Sequence, residues 1–117
     1  MGWYKNRALL GSLKQIRSGR DDGYESLNVA LQSGADPNAF LEKGLTPLMI
    51  AMFLDHGMFV ASILCNYGAD PFKKDKRGKF NAIQLALDQG FDGYAEMLEL
   101  KGTNQAIKNK FRLGKTS

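Results

Sequence analysis

An internal repeat of 34 residues constrains this chain more than any other feature of its sequence. Residues 34–38 read Gly-Ala-Asp-Pro-Asn, residues 68–72 read Gly-Ala-Asp-Pro-Phe, and Gly102 follows Gly68 at the same interval. A fixed period of this length is typical of solenoids, because one short supersecondary unit cannot bury its own apolar face and must stack on the next. A chain of 117 residues therefore has room for about three such units in one domain.

The residues inside one period have the pattern of two helices joined by a turn. Thr46 and Pro47 predict a helix start, since the threonine side chain can cap free N–H groups and proline suits the first helical position. Helical spacing of apolar residues predicts a second, heavily buried helix containing Met58, Phe59, Val60, Ile63, Leu64 and Tyr67. Gly68 is expected to end that helix in the left-handed conformation. Asp70 and Pro71 then predict a turn into an extended finger.

These residues resemble the ankyrin-repeat family, whose repeats begin G-x-T-P-L-H-x-A and end G-A-D-x-N. The positions that match are Gly44, Thr46, Pro47, Leu48, Ala51, Gly68, Ala69 and Asp70. Met49 stands where the family has its first histidine, and His56 matches a second, loop-region histidine after a one-residue insertion. The resemblance implies an all-α ankyrin-repeat solenoid of about three helix-turn-helix units, with short β-hairpin-like fingers and a C-terminal capping helix.

The same resemblance divides the single domain, residues 1–117, into four segments. Residues 8–34 are expected to form a degenerate N-terminal cap repeat, with one stripe of Leu9, Leu10, Leu13 and Ile16 and another of Leu27, Val29, Ala30 and Leu31. Residues 35–68 form the central repeat. Residues 69–102 form the third, in which Phe80, Asn81 and Ala82 replace the Thr-Pro signal. Residues 103–117 form a C-terminal cap helix and basic tail, with Ala106, Ile107 and Phe111 at helical spacing.

The formal charge of +4 hides an uneven distribution along the chain. Residues 1–20 carry five cations and no acid, and residues 21–72 carry seven acids against Lys43 alone. From residue 73 onward ten cations face five acids. Such asymmetry more often concerns association than fold. Solvated faces balanced for solubility are the alternative explanation.

Catalytic, metal and cofactor sites find little support in the sequence. A histidine-dependent nucleophile would have to use His56, the one histidine, and Cys65 lies in an apolar run that indicates a buried, inert thiol. Structural zinc usually takes four Cys or His ligands, and this chain has two such residues. The glycines form neither of the common phosphate-binding motifs. We therefore expect a protein that is not an enzyme, with no catalytic residue, no metal and no cofactor.

The location is expected to be cytoplasmic, with no contact to a membrane. The apolar runs at residues 45–54 and 58–65 are too short to cross a bilayer. No apolar run of signal-peptide length precedes Lys14.

The resemblance also implies which residues meet a partner, because ankyrin repeats usually make contact through finger tips and the exposed face of the first helix of each unit. In the second unit the matching positions are Phe40, Glu42, Lys43, Leu45, Phe53 and Leu54. In the third unit they are Lys73, Lys74, Lys76, Arg77, Lys79, Asp88 and Gln89. For Phe53 and Leu54 the alternative is packing beneath the inserted loop near Asp55. For residues 73–79, the basic finger, the alternative is a purely solubilising surface.

Function is expected to be stoichiometric binding of another protein with an acidic surface, as an adaptor or inhibitor, for which a phage or pathogen effector against host machinery is one setting. Charge complementarity of this kind raises association rates and selects partners. The alternative is a nucleic-acid-associated protein that uses the basic finger together with Lys108, Lys110, Arg112 and Lys115. Against it, the basic residues show no interleaved pattern of aromatic residues for stacking, and the middle of the chain is acidic. The oligomeric state is left open.

Overall fold

The computed structural model describes the backbone of residues 2–115 and the side chains of residues 4–110. Within that range the chain forms six α-helices and no strand. Their bounds are Gly2–Arg17 (α1), Asp22–Gln32 (α2), Pro47–Ala51 (α3), Gly57–Asn66 (α4), Ala82–Asp88 (α5) and Asp92–Lys115 (α6). A 3-10 turn, Glu42–Gly44, precedes α3. The all-α class implied by the repeat pattern is confirmed.

Polar side chains set the starts of the two inner helices. The Thr46 side chain accepts a hydrogen bond from the N–H of Met49, with Pro47 in the first helical position, as expected. The third unit has Asn81 at the same place. Its side chain accepts from the N–H of Gln84, while the Gln84 side chain accepts from the N–H of Asn81. The departure from Thr-Pro is therefore a change of cap.

The outer helix of the central unit ends as the repeat pattern predicts. Gly68 has φ 95°, which an L-residue rarely adopts, and its N–H donates to the carbonyl oxygen of Cys65 at 3.0 Å. The N–H of Ala69 donates to the carbonyl oxygen of Leu64 at 3.1 Å, which completes a Schellman motif. The same pair of bonds ends α2 around Gly34. The recurring Gly-Ala pair is therefore a recurring helix stop.

The helices stack as three pairs. Helix α1 packs on α2, α3 on α4 and α5 on α6, while α1, α3 and α5 also contact one another in sequence along the inner side of the stack. The core between them contains fully buried Leu9, Leu13, Leu27, Leu48, Met49, Val60, Leu64 and Leu98. The buried Tyr94 hydroxyl donates to the carbonyl oxygen of Leu48 at 2.7 Å, and burial raises its pKa. This bond joins the third pair to the second.

Two predicted helix stripes were too broad. Helix α4 buries Gly57, Val60, Ala61 and Leu64, while Met58, Phe59 and Tyr67 are exposed. Val29 on α2 is exposed as well. Helical spacing alone does not show how wide the buried face of a helix is. The buried face of α4 is a narrow strip, which lets neighbouring helices lie close to it. The exposed Phe59 ring instead meets the ring of Tyr24 edge-on, with centroids 5.6 Å apart.

Helix α6 passes through Gly102 without a break. The separate cap helix expected after Gly102 is therefore wrong, because residues 103–115 continue the same helix. Ile107, expected to help close the stack, is exposed, and Phe111 lies outside the residues whose side chains are described. The boundaries of the four segments otherwise stay a prediction.

Among residues 2–115 no helix combines the length and the apolar character that crossing a membrane requires.

Candidate protein-binding face

The second finger, residues 40–45, is a closed loop beside the start of α3. The N–H of Leu41 donates to the carbonyl oxygen of Leu45 at 2.8 Å, which brings the two ends of the loop together. At the tip Lys43 has φ 59°, an unusual conformation for a residue with a side chain. The loop therefore presents the exposed Lys43 side chain from a fixed backbone.

The basic finger, residues 73–79, is organised by Asp75. The Asp75 carboxylate is buried and accepts from the N–H groups of Lys79 and Phe80, at 2.8 and 3.2 Å, and from the Arg77 guanidinium at 3.1 Å. Burial acts to raise the pKa of Asp75, but these hydrogen bonds lower the pKa by more, so it lies below its usual range. One antiparallel bridge joins Lys74 to Asn81, and the expected hairpin-like form is not confirmed.

The two fingers are in direct contact. The N–H of Lys76 donates to the carbonyl oxygen of Gly44 at 2.9 Å. A Cβ atom on Gly44 would lie 2.9 Å from the Cβ of Lys76, so the close approach requires glycine. The two fingers therefore form one continuous edge.

The five cations of the basic finger differ in exposure. Lys74, Lys76, Arg77 and Lys79 are exposed. Lys73 is half-buried, its ammonium donates to the carbonyl oxygen of Asn38 at 2.5 Å, and it lies 4.4 Å from the centroid of the Phe40 ring. Lys73 and Phe40, both expected to contact a partner, are thus engaged with each other within the chain.

Two cations of α1 extend the edge on the other side. Lys14 and Arg17 lie 3.7 and 4.0 Å from the Glu42 carboxylate. All three side chains are well exposed, so these pairs add little to stability. They do show that Glu42, an expected contact residue, already faces two cations. Neither Lys14 nor Arg17 is among the contact residues expected from the sequence.

A groove of about 180 Å³ opens beside the second finger. It is lined by Arg17, Glu42, Lys43, Leu45, Ile50 and Phe53. The Phe53 side chain is 53% exposed, and its ring meets the ring of Phe91 at a centroid distance of 6.2 Å and an angle of 78°. The groove thus unites Glu42, Lys43, Leu45 and Phe53 from the expected set. The sequence did not predict Ile50 or Phe91 as contact residues, although Phe91 directly follows Gly90, a glycine at the end of a helix.

The comparison with protein families fits this geometry. The model of the ankyrin repeat matches residues 43–76, which run from the second finger through α3 and α4 into the basic finger. Residues 43–76 therefore form an ankyrin repeat. Ankyrin repeats are generally protein–protein interaction modules and are typically not enzymes. A search of the curated proteins finds no match to this chain.

One contact residue expected from the sequence is wrong. Leu54 is 7% exposed and belongs to the core, so its side chain is not available to a partner. The reason is the short α3, Pro47–Ala51, after which the loop turns Leu54 inward while Phe53 points out. Packing beneath the inserted loop, the alternative considered from sequence, therefore holds for Leu54 and not for Phe53.

The remaining expected contacts lie at the far end of the ankyrin stack's inner side. Asp88 is the last residue of α5 and Gln89 is its C-cap, and both are exposed. Neither lines the groove that contains Phe53.

The two residues considered for catalysis occupy structural positions in the ankyrin repeat. His56 is exposed, precedes α4 and has φ 57°. Burial raises the pKa of the Cys65 thiol, and the Lys101 charge only partly offsets this, so the reactive thiolate is disfavoured. Across the described side chains no group of His, Cys, Asp and Glu is arranged to hold a metal ion.

Proposed function

We propose that this chain binds one partner protein stoichiometrically, and that it does so through the two fingers and the adjoining groove. One observation carries the proposal: Lys74, Lys76 and Lys79 are exposed, while the acids of this edge are engaged within the chain. Asp75 is buried among N–H donors, and Glu42 faces Lys14 and Arg17. The positive charge of these three lysines is therefore left available to a partner.

Such an edge favours a partner with an acidic surface. Complementary charge accelerates encounter and fixes orientation, although it adds less to affinity. Affinity is expected from apolar anchors, and Phe53 with Phe91 supplies an exposed aromatic pair beside the cations. The proposed contact therefore combines a cationic rim with one aromatic centre.

Occupying a partner's surface in this way supports an adaptor or an inhibitor, since neither role needs chemistry from the binder. An effector of a phage or pathogen that blocks host machinery is one setting for an inhibitor. An adaptor and an inhibitor share one requirement, a protein partner bound at the finger edge, and a capture experiment tests it.

Nucleic acid is the rival partner, and Lys108 and Lys110 are exposed on α6. Lys108, however, lines a small groove with Cys65 and Asn66 of α4. The finger cations adjoin the groove that contains Phe53. The two sets of cations therefore belong to different grooves, which does not favour one continuous track for a phosphate backbone.

The test compares the parent chain with two variants of equal net charge. The finger variant replaces Lys74, Lys76 and Lys79 with Ser and keeps Lys73 and Arg77, whose side chains bind within the chain. The α6 control replaces Lys101, Lys108 and Lys110 with Ser. The parent and both variants are each used at low concentration to capture proteins from a host lysate. The captured proteins are quantified by mass spectrometry.

The proposal expects a protein that the parent and the α6 control retain and the finger variant loses, and that forms a 1:1 complex when purified. Equal capture by both variants would overturn it. Binding of mixed DNA and RNA probes that depends on the α6 cations and falls steeply with salt would establish the rival instead.

A further inference from the structure

A second groove lies on the surface of α1 and α2, and no finger residue lines it. It has a volume of about 690 Å³. Small residues make its floor, namely Ala8, Gly11, Ser12, Ser26, Ala30 and Ser33. Val29, on α2, stands in it with 52% of its surface exposed. Helix α1 begins the stack, and it contacts only α2 and α3 to an appreciable extent among the described helices. We therefore call this groove the end groove.

The end groove has opposite charges at its two ends. Helices α1 and α2 are antiparallel, so Lys5 lies beside the end of α2, with its ammonium 3.2 Å from where a Cβ on Gly34 would lie. Asp22 and Glu25 line the other end, near Gln15. Arg20 pairs with Asp22 at 2.7 Å, which leaves Glu25 as the main acid of that end. An occupant with an acid at one end and a cation at the other would match both.

Helix α6 carries a face with that arrangement at the opposite end of the stack. Leu100 and Ile107, 63% and 47% exposed, lie seven residues apart on one side, with Thr103 between them. Glu99 precedes this apolar pair and Lys110 follows it, and both are exposed. The other side of α6 packs on α4 and α5 through Tyr94, Ala95 and Leu98. We call the exposed side, residues 99–110, the outer stripe.

The lengths of the two surfaces agree. At a rise of 1.5 Å per residue, Glu99 and Lys110 lie about 16 Å apart along α6, and Lys5 and Gln15 lie about 15 Å apart along α1. A helix laid in the groove parallel to α1 would thus bring Glu99 to Lys5 and Lys110 to Glu25. Leu100 and Ile107 would then cover Val29 and the small-residue floor, which admits a close approach of helices.

We infer that the outer stripe of one molecule docks in the end groove of a second copy of this chain. The occupant is a second copy because the complementary charges, their spacing and the unpartnered apolar residues are all present on α6. The contact is head-to-tail, since two different surfaces meet, and each molecule keeps one free groove and one free stripe. Association is therefore open-ended and rises with concentration. It leaves the finger edge uncovered.

A single helix face in a groove buries less than the roughly 1,200 Å² at which specific interfaces become stable, so the contact is expected to be weak. Sedimentation velocity over a wide range of concentration suits a contact of this kind. The parent chain is expected to show a sedimentation coefficient that rises steadily with concentration. A parent that stays monomeric at the highest attainable concentration would overturn the inference.

Two blocked variants test the head-to-tail geometry. Val29→Glu places a charge in the groove, and the double variant Leu100→Ser with Ile107→Ser removes the apolar part of the stripe. All three side chains are exposed, so circular dichroism and melting should match the parent. Each variant alone should be monomeric, and their mixture should form a 1:1 complex that grows no further, because each retains the surface that the other lacks.

The matched control removes an exposed apolar pair elsewhere, by Met58→Ser with Phe59→Ser on α4, and should self-associate like the parent. Lys110→Glu should weaken association about two- to fivefold, and adding Glu25→Lys should restore it, as expected for an exposed pair. Self-association by either blocked variant, or a mixture that stays monomeric, would show that the contact is symmetric or lies elsewhere and would refute the inference.

Discussion

Gly102 and Phe72 are in contact so close that no side chain fits between them. A Cβ atom on Gly102 would lie 2.6 Å from Cε2 of the Phe72 ring. Gly102 lies in the middle of α6, where glycine normally weakens a helix. Glycine at this position allows the Phe72 ring, whose repeat counterpart is Asn38, to pack against α6.

Gly102→Ala is accordingly expected to give little or no gain in stability in the parent chain. Elsewhere in a helix interior the change stabilises by about 1 kcal/mol. In a Phe72→Ala background the ring is gone, and Gly102→Ala should recover that gain. Urea unfolding of the four chains measures the coupling, which should be about 0.5 kcal/mol or more. Equal effects in both backgrounds would show that the ring simply swings aside.

Gly68 and Gly102 share a position in the sequence repeat but not a structural role. Gly68 ends its helix, as its neighbours Ala69 and Asp70 indicated. After Gly102 no Ala-Asp pair follows, and the helix continues. The caps and helix stops could be predicted because they depend on adjacent residues. The burial of Asp75 could not, and the sequence offered the burial of Leu54 only as an alternative, because both depend on how the loops turn.

Leu64→Ala is expected to lower the free energy of unfolding by about 2 to 5 kcal/mol. Leu64 is fully buried between the helix pairs of the stack. The matched control is Phe59→Ala on the same helix, 58% exposed, for which a loss of about 1 kcal/mol or less is expected. Thermal and urea unfolding measure both. A larger loss at Phe59 than at Leu64 would mean that the register of α4 is wrong.

Asn38 joins the start of the second unit to the start of the third. Its side-chain nitrogen donates to the carbonyl oxygen of Gly68 at 3.0 Å, and its side-chain oxygen accepts from the N–H of Asp70 at 2.6 Å. Asn38→Ala should destabilise by about 1 to 3 kcal/mol, since two backbone groups lose their partners. Asn6→Ala, which removes one such bond to Asp36, is the comparison. It should cost less in the same unfolding measurement.

Asp75 is expected to make stability fall in acid. Because its pKa in the folded chain is below the usual value, its contribution is complete above the pKa of the unfolded carboxyl, about 3.9. That contribution is lost as the pH falls through the lower folded pKa. Asp75→Asn should flatten this part of the curve of unfolding free energy against pH.

Once a partner protein is identified, the cationic rim and the aromatic centre of the proposed contact should affect different rate constants. In stopped-flow or surface measurements, the finger variant should associate about tenfold or more slowly at low salt and lose most of its salt sensitivity. Its dissociation should change little, because rim charges act mainly before contact. The α6 control, with the same net charge, should associate like the parent. Slow association in both would mean that overall charge, rather than the finger edge, attracts the partner.

Phe53→Ala should leave association nearly unchanged and raise the dissociation rate about thirtyfold, the effect of losing an aromatic anchor worth about 2 kcal/mol. Phe91→Ala should act in the same direction more weakly, because the Phe91 ring supports Phe53 edge-on and is less exposed. Leu54→Ala serves as the control for simple loss of structure: it should lower thermal stability by opening the core, yet dissociate like the parent at temperatures where it stays folded. If Phe53→Ala and Phe91→Ala both dissociate like the parent, the partner does not use the groove, and the apolar half of the proposed contact is wrong even where the cationic half holds.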